Sequence, residues 1–300
     1  MQSKKWLIFA VVTTLAWGLW GALTGIFADE SIPSTMVYAI WALTMIPPCI
    51  VALKLIGWKL ELDRRSILLG CTIGLLGSGG QMLLFQAVNV GPAYLIFPII
   101  SLSPIITIAL SFGLLKERTG KLGAIGIVLA LVALPLFEYS PSDGQQTEGV
   151  LWFVLALIVM AAWGLQAYFM KFSNETMSAE SIYFYMTITA IALIPVAYAM
   201  TDFQQDINFS ASVISTTAGI QVLNSIGALC LVYAFRYGKA IVVSPLTNAG
   251  APLISAVLAI ILMGVIPTDV KIMGIALAII AAIILAIEPE EKTTVNQKID

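Results

Sequence analysis

Ten stretches of about twenty apolar residues, parted by links too short to hold a domain, leave this chain few ways to fold. They run 5–28, 33–56, 66–88, 92–115, 119–138, 149–171, 179–201, 212–237, 241–264 and 268–287. A helix of that length matches the hydrocarbon core of a bilayer, about 30 Å thick. Lipid also demands helices, because backbone N–H and C=O groups find no water there. Turn residues mark the links: Asp29-Glu30 before Pro33, Asn89 to Pro92, Pro141 to Gly144, Gly238 and Pro267. Short links make sequence neighbours antiparallel. The expected class is an all-α membrane protein with ten transmembrane helices. Lys4 and Lys5 before the first run suggest a signal peptide, but the run is too long for one and reads as a retained helix.

Composition agrees. Hydrophobic residues make up 59% and charged ones 11%, with a mean hydropathy of +0.96, against roughly 45–50% and 25% in globular domains. That is too little polar surface to wrap a soluble core. The net charge of −2 lacks the basic excess of a nucleic-acid binder, so the expected partners are the lipid bilayer and a small molecule, not nucleic acid. There is no histidine, which removes the commonest metal ligand and acid/base group; no metal and no cofactor are expected. Cys49, Cys71 and Cys230 are scattered through apolar runs and read as small packing residues.

Charge sets an orientation. With a cytoplasmic N-terminus and ten spans, the inner segments hold 14 of the 15 basic residues, and only Lys271 falls outside. The outer links carry acids instead: Asp29, Glu30, Glu138, Asp143, Glu148, Asp202, Asp206 and Asp269. One span more or fewer would flip every later loop and destroy this asymmetry. Both termini are therefore expected in the cytoplasm, the polar tail 289–300 included. A compact chain of this kind suggests a bacterial inner membrane.

The chain also repeats itself. Ala16-Trp17-Gly18-Leu19 in span 1 matches Ala162-Trp163-Gly164-Leu165 in span 6, an offset of 162 − 16 = 146. Gly91 and Pro98 match Gly238 and Pro245 (238 − 91 = 147), and Gly126 matches Gly274 (274 − 126 = 148). This divides the chain into 1–140, an outer linker 141–148, a second unit 149–288 and the tail. Each unit has five spans, an odd number, so the second copy enters the membrane from the opposite side. Two inverted halves can exchange roles, opening first to one face and then to the other.

These residues carry a resemblance to the EamA-type ten-helix carriers of the drug/metabolite transporter superfamily, over roughly residues 5–288. Besides the two Ala-Trp-Gly steps, it rests on Gly91-Pro92-Ala93 before span 4, Pro98 and Pro104 within it, and Leu115-Lys116-Glu117-Arg118 after it. Gly123 and Gly126 follow, and the second half adds Tyr233 to Gly238, Pro245, Pro252 and Gly274. One departure is that the acidic residue expected after span 9, matching Glu117, is replaced by Gly264-Val265-Ile266. The resemblance implies a central cavity lined by spans 1, 3, 4, 6, 8 and 9, with spans 5 and 10 at the periphery.

Polar side chains in hydrocarbon are costly and usually face protein or a wet cavity. Thr13, Trp17, Trp20 and Thr24 share one face of span 1; Trp163, Gln166 and Met170 have matching spacing in span 6. Ser101 and Asn248 match across the repeat, each one turn past an aligned proline, where a broken helical turn is expected to bind ligand. Asn224 lies in span 8, and Gln81 lies one turn beyond its counterpart Gly77. The expected substrate-binding set is therefore Trp17, Trp20, Gln81, Ser101, Trp163, Gln166, Asn224 and Asn248, offering indoles for planar or cationic groups and amides for orientation. Gly70 and Gly74 form a small-residue face for close helix packing.

No Asp, Glu, Lys or Arg lies near the centre of a span. The four-helix multidrug relatives within the superfamily couple protons through a glutamate in their first helix; Val11 to Trp20 holds none. Lys171 and Arg236 read as topology anchors at helix ends. The expected cargo is a small neutral, zwitterionic or weakly cationic metabolite carried by alternating access. A membrane enzyme lacks its acid/base groups. A passive channel or a non-transporting membrane partner is the alternative. Direction of transport and oligomeric state are open, a monomer being allowed.

Overall fold

The computed structural model describes residues 4–27, 31–138, 150–264 and 267–287; the linker 141–148, the tail 289–300, Asp29, Glu30 and the side chain of Glu138 lie outside the described residues. Those described form helices and short links with no strand. The helices are α1 (Lys5–Phe27), α2 (Ser34–Thr44), α3 (Ile46–Leu55), α4 (Arg64–Val90), α5 (Ala93–Ser101), α6 (Ser103–Gly113), α7 (Lys121–Glu138), α8 (Leu151–Ser173), α9 (Ala179–Ala192), α10 (Ile194–Ala199), α11 (Ala211–Tyr237), α12 (Ala240–Met263) and α13 (Asp269–Ile287).

Among the described residues, nine helical stretches are long and apolar enough to cross a membrane, taking α2–α3, α5–α6 and α9–α10 as bent single spans. The bends fall at Met45, Leu102 and Leu193, each just before a proline in the first turn of the following segment: Pro47-Pro48, Pro104 and Pro195. Proline lacks the N–H for the i−4 carbonyl but suits a helix's first turn, so the axis breaks just ahead of it. This corrects the expectation of broken turns at Pro98 and Pro245. Pro98 sits inside α5, whose break comes four residues later, and α12 runs unbroken through Pro245 and Pro252. Where a span ends, Gly264 supplies the left-handed backbone (φ 63°) that closes α12.

The surface is apolar and the packed faces are mixed. On α1, Ile8, Val11, Val12, Leu15 and Leu19 are exposed, while Thr13, Ala16 and Gly18 are buried. Buried hydroxyls bond main-chain carbonyls of neighbouring helices, Thr13 to Gly227 (3.2 Å) and Thr107 to Gly164 (3.0 Å), and the half-buried Ser255 bonds Gly18 (2.8 Å). Small residues permit that closeness. Gly70 and Gly74 of α4 receive Tyr185, Met186 and Thr189 of α9 against their bare backbone.

The two units meet through contacts that come in pairs. Gly18 lies against Ala251 and Ile254 of α12; Gly164 lies against Ser103 and Ile106 of α6, each pair 146 to 148 residues apart (164 − 18, 251 − 103, 254 − 106). α1 runs antiparallel to α11, with Trp6 beside Gly238 at one end and Trp20 bonded to Gln221 towards the other. α4 and α8 pair in the same way, Gly91 beside Trp152 and Gly77 bonded to Trp163. The end of α8 meets the end of α11 through Lys171 and Gly238. The start of α1 therefore lies at the end of α8, and the two matched helices run in opposite directions. Outside this core, α7 packs antiparallel on α13, Gly126 against Leu285 and Gly274 against Leu136.

One inter-unit link outside the spans is titratable. Glu61, between α3 and α4, accepts hydrogen bonds from the Ser178 N–H (3.2 Å) and hydroxyl (2.9 Å) at the start of α9. Burial works to raise its pKa, but the hydrogen bonds of Ser181 and Ser178 outweigh it and hold the carboxyl below its ordinary 4.5. A carboxylate depressed on folding stabilises the fold above its unfolded pKa, and that stability is lost as pH falls through the lower folded value. The thermal-stability advantage of the native chain over Glu61→Gln is therefore expected to shrink as pH is lowered from 6 through the ordinary 4.5 and below. Asp63, depressed by its own bonds to Ser66, adds an acid loss that this substitution leaves in place.

Candidate functional site

A cavity of about 710 Å³ lies between the two units. All eight residues singled out from the sequence border it: Trp17 and Trp20 from α1, Gln81 from α4, Ser101 from α5, Trp163 and Gln166 from α8, Asn224 from α11 and Asn248 from α12. The spans that contribute most are those expected; α7 and α13 reach it only through Leu134 and Lys271.

The indoles are held by the repeat. Trp17 Nε1 donates to the Asn224 carbonyl and Trp163 Nε1 to the Gly77 carbonyl, both at 3.2 Å. The acceptors are themselves matched, at 224 − 77 = 147. Glycine permits this: a Cβ at Gly227 or Gly80 would collide with the Trp17 or Trp163 ring, and one at Gly77 with the Gln166 amide. With their N–H groups committed, Trp17 and Trp163 present ring surface to the cavity rather than a free donor. Trp20 is fixed differently, its Nε1 donating to Gln221 Oε1 at 3.1 Å.

Ser101 and Asn248 also bond within their own helices, the hydroxyl to the Pro98 carbonyl (2.8 Å) and the amide nitrogen to the Ser244 carbonyl (2.8 Å). This leaves the Asn248 amide oxygen as an acceptor. Pro252 withholds the N–H that would otherwise bond the Asn248 carbonyl, and Pro104 does the same for Ile100. The Asn248 carbonyl so freed belongs to a lining residue, whereas the Leu102 N–H turns to the Ile100 carbonyl.

The two ends of the cavity differ. Towards the ends of α1 and α12 it is bordered by Gly25, Ala259, Ile260, Pro267 and Lys271, and Gly25 and Ile260 are exposed. Towards the start of α12 it stops at Phe235 and Ser244, both buried. Below that floor, Glu117 Oε2 accepts the Ile241 N–H (3.0 Å) in the first turn of α12, where a carboxylate also suits the helix dipole. Lys171 Nζ lies 3.8 Å from Glu117 Oε1 and donates to the carbonyls of Phe235 (3.1 Å) and Gly238 (2.6 Å). The α6–α7 link, α8, α11 and α12 are thus tied at one point. Phe9 stacks on Tyr233 (4.8 Å), whose hydroxyl donates to Glu180, closing the floor further.

Lys171, expected as a topology anchor at a helix end, also takes part in this closure: its side chain is only 18% exposed and faces Glu117. Sequence reasoning also passed over Gln221, Ser78, Ser244 and Lys271. Gln221 stands one turn before Asn224, on the same helical face, and that spacing could have found it. Lys271 announced itself as the one basic residue among the outer acids.

Among the described residues, no group of histidine, cysteine or carboxylate side chains could hold a metal ion. The arrangement suits holding and releasing a small molecule: ring faces, amides and the Asn248 carbonyl around a space open at one end.

Comparison with known proteins agrees. The model of the EamA-like transporter family matches residues 4–137 and again residues 150–287. One crystal structure of a protein with 17% identity superposes with a TM-score of 0.79, covering 95% of this chain and 96% of that chain, a likeness of fold alone. No curated protein matches the sequence. A family match spanning each unit in turn, on a helical chain whose matched tryptophans flank one cavity, places the protein: it belongs to the EamA-like transporter family.

Proposed function

We propose that the chain is a secondary carrier of a bacterial inner membrane, built from ten spans as two inverted five-helix halves with both termini in the cytoplasm. It carries a small neutral, zwitterionic or weakly cationic metabolite by alternating access through the central cavity. The observation that carries this reading is the pairing of contacts. Each half grips the other at matched positions, and α1 and α8 run opposite ways. A rocking motion can then exchange one half's packing for the other's at modest energetic cost. α7 is the tenth span, since it lies along α13 through most of its length. The basic residues Lys5, Lys171 and Lys239 gather at the closed end, so the cavity faces away from the cytoplasm.

In this mechanism the substrate enters from the outer side and lies against the Trp17 and Trp163 rings. The Asn248 oxygen and the neighbouring free carbonyl orient its polar group. Closure around it requires the outer ends of α1 and α12 to approach, while the Glu117–Lys171 tie opens.

The test is a thermal-shift screen of the purified chain against amino acids, nucleosides, sugars and aromatic drugs, followed by flux of the best binder into liposomes. The expected result is saturable uptake, accelerated by the same compound preloaded inside. Asn248→Leu should lower uptake about tenfold, the loss of one to two hydrogen bonds, and Trp163→Ala should weaken binding by a similar factor, with Cys230→Ala neutral in both. Flux that rises linearly without counterflow would favour a channel; no flux for any binder would overturn the carrier.

A further inference from the structure

Among the described residues, the wall of the cavity described above carries one charged side chain. Of its lining residues, those named for binding are neutral, and the remainder are apolar, glycine or hydroxyl side chains apart from Lys271. This lysine sits in the first turn of α13, half-buried, beside Pro267 at the open end. Among the described residues no carboxylate lies within ion-pair distance of it, the ion pair there being Lys171 with Glu117. Asp269 is two positions earlier on α13, exposed, and at i, i+2 the pair does not share a helix face.

Its placement runs against two general preferences. Lysine is disfavoured in translocated segments, and a cation is disfavoured in the first turn of a helix, where the dipole is already positive. A position with these costs suits a role in attracting negative charge. A cavity mouth with low-dielectric walls focuses the field of a single charge along its length.

From this we propose that Lys271 makes the mouth of the cavity selective for molecules bearing a carboxylate or similar anionic group. It favours zwitterions and monoanions with an apolar or planar body over cations. The proposal rests on the carrier reading and changes its cargo, setting aside weakly cationic molecules and admitting monoanions. Lys271 acts at the mouth rather than beside the indoles. Asn248 lies twelve residues from Ile260 along α12, about 18 Å at helical rise, so a small molecule meets the two in succession. The anionic group is attracted first, and the body is bound deeper.

Electrostatics at the mouth can be read without knowing the substrate. In the full-length chain, Cys49, Cys71 and Cys230 are replaced by alanine and a single thiol is introduced by Ala256→Cys, Ala256 being a small lining residue. The thiol is then reacted with negatively and positively charged methanethiosulfonates of similar size. The anionic-to-cationic rate ratio, corrected by a small thiol peptide in solution, is expected to fall about fivefold on Lys271→Gln and to hold on Lys271→Arg. Raising salt to about 0.5 M should compress the lysine ratio towards the glutamine one. A ratio unchanged by Lys271→Gln would overturn the proposal. If that variant fails to fold, a ratio in the lysine chain that is insensitive to salt would overturn it equally. Because this readout needs no transport, a chain that moves nothing across a membrane could still pass it, which separates failure of this proposal from failure of the carrier.

Discussion

Gly164→Val is expected to leave little folded protein. A Cβ at this position would lie 2.6 Å from Ile106 Cβ and 2.7 Å from the Ser103 carbonyl oxygen. A side chain can turn away, but a backbone oxygen at the α5–α6 break cannot, so α8 and α6 would have to separate. Overpacking a core costs about 1–3 kcal/mol and more where backbone must move; here the Thr107 bond to the Gly164 carbonyl is lost as well, adding about 1 kcal/mol. That sum, about 2–4 kcal/mol before any backbone movement, is a large fraction of the roughly 5–15 kcal/mol that holds a domain folded. The matched Gly18→Val would bring its Cβ within 2.3 Å of Ile254 Cβ, an atom that side-chain rotation cannot move, so it should be about as damaging. Gly79→Ala is the control: nothing lies within 4 Å of a Cβ there, and helix propensity alone predicts a gain of about 1 kcal/mol. Detergent-solubilised yield and thermal midpoint measure all three. Equal loss at Gly79 and Gly164 would show that helix flexibility, not close approach, is what glycine supplies.

The second large effect falls on conformation. Glu117→Ala removes the ion-pair partner of a largely buried ammonium and the acceptor for the Ile241 N–H in one step. The cost lies between that of a charged hydrogen bond and that of a broken buried pair, about 2–4 kcal/mol. It is charged only to the state closed at the basic end, so the population should shift by tenfold or more towards the opposite access. A cysteine placed on the cavity wall is then expected to lose reactivity towards an impermeant thiol reagent on the outer side and gain it on the inner. Lys171→Met should act in the same direction. Exchanging the two, Glu117→Lys with Lys171→Glu, should restore part of the closure through the ion pair but not the cap on α12. If labelling stays outward in both single variants, the tie is packing and not a gate. The repeat sharpens this expectation. Removing the offset from Lys171 (171 − 146) lands on Gly25, and adding it to Glu117 (117 + 147) lands on Gly264. The positions matched to Glu117 and Lys171 are thus glycines rather than an ion pair, and on the proposed carrier mechanism the empty chain is expected to rest with the end opposite the tie open.

Some of this could be read from the residues alone. The spans follow from lipid: a chain that must satisfy its own backbone needs long apolar helices, and hydropathy shows where they are. The duplication shows in rare residues, the Trp-Gly steps and aligned prolines, which apolar drift does not produce by chance. Trp17 and Trp163 were paired by that logic, and the fold sets them at equivalent places beside the cavity. Helix bends were harder. Pro98, Pro104, Pro245 and Pro252 look alike in sequence, yet of these only Pro104 begins a new segment, because packing decides whether a missing N–H is absorbed or breaks the axis.

What the sequence by itself determined was therefore helix content, membrane residence, the twofold repeat and a short set of residues that the fold places around one cavity. Tertiary structure alone decided how those groups are used. It committed the Trp17 and Trp163 donors to backbone carbonyls, drew Lys171 inward to Glu117, and left Lys271 at the open mouth. The physical reason is directional. Hydrophobicity and residue rarity are properties of each position, whereas a hydrogen bond or an ion pair depends on which two groups are brought face to face, as Trp17 and Asn224 are from 207 residues apart and Ser255 and Gly18 from 237.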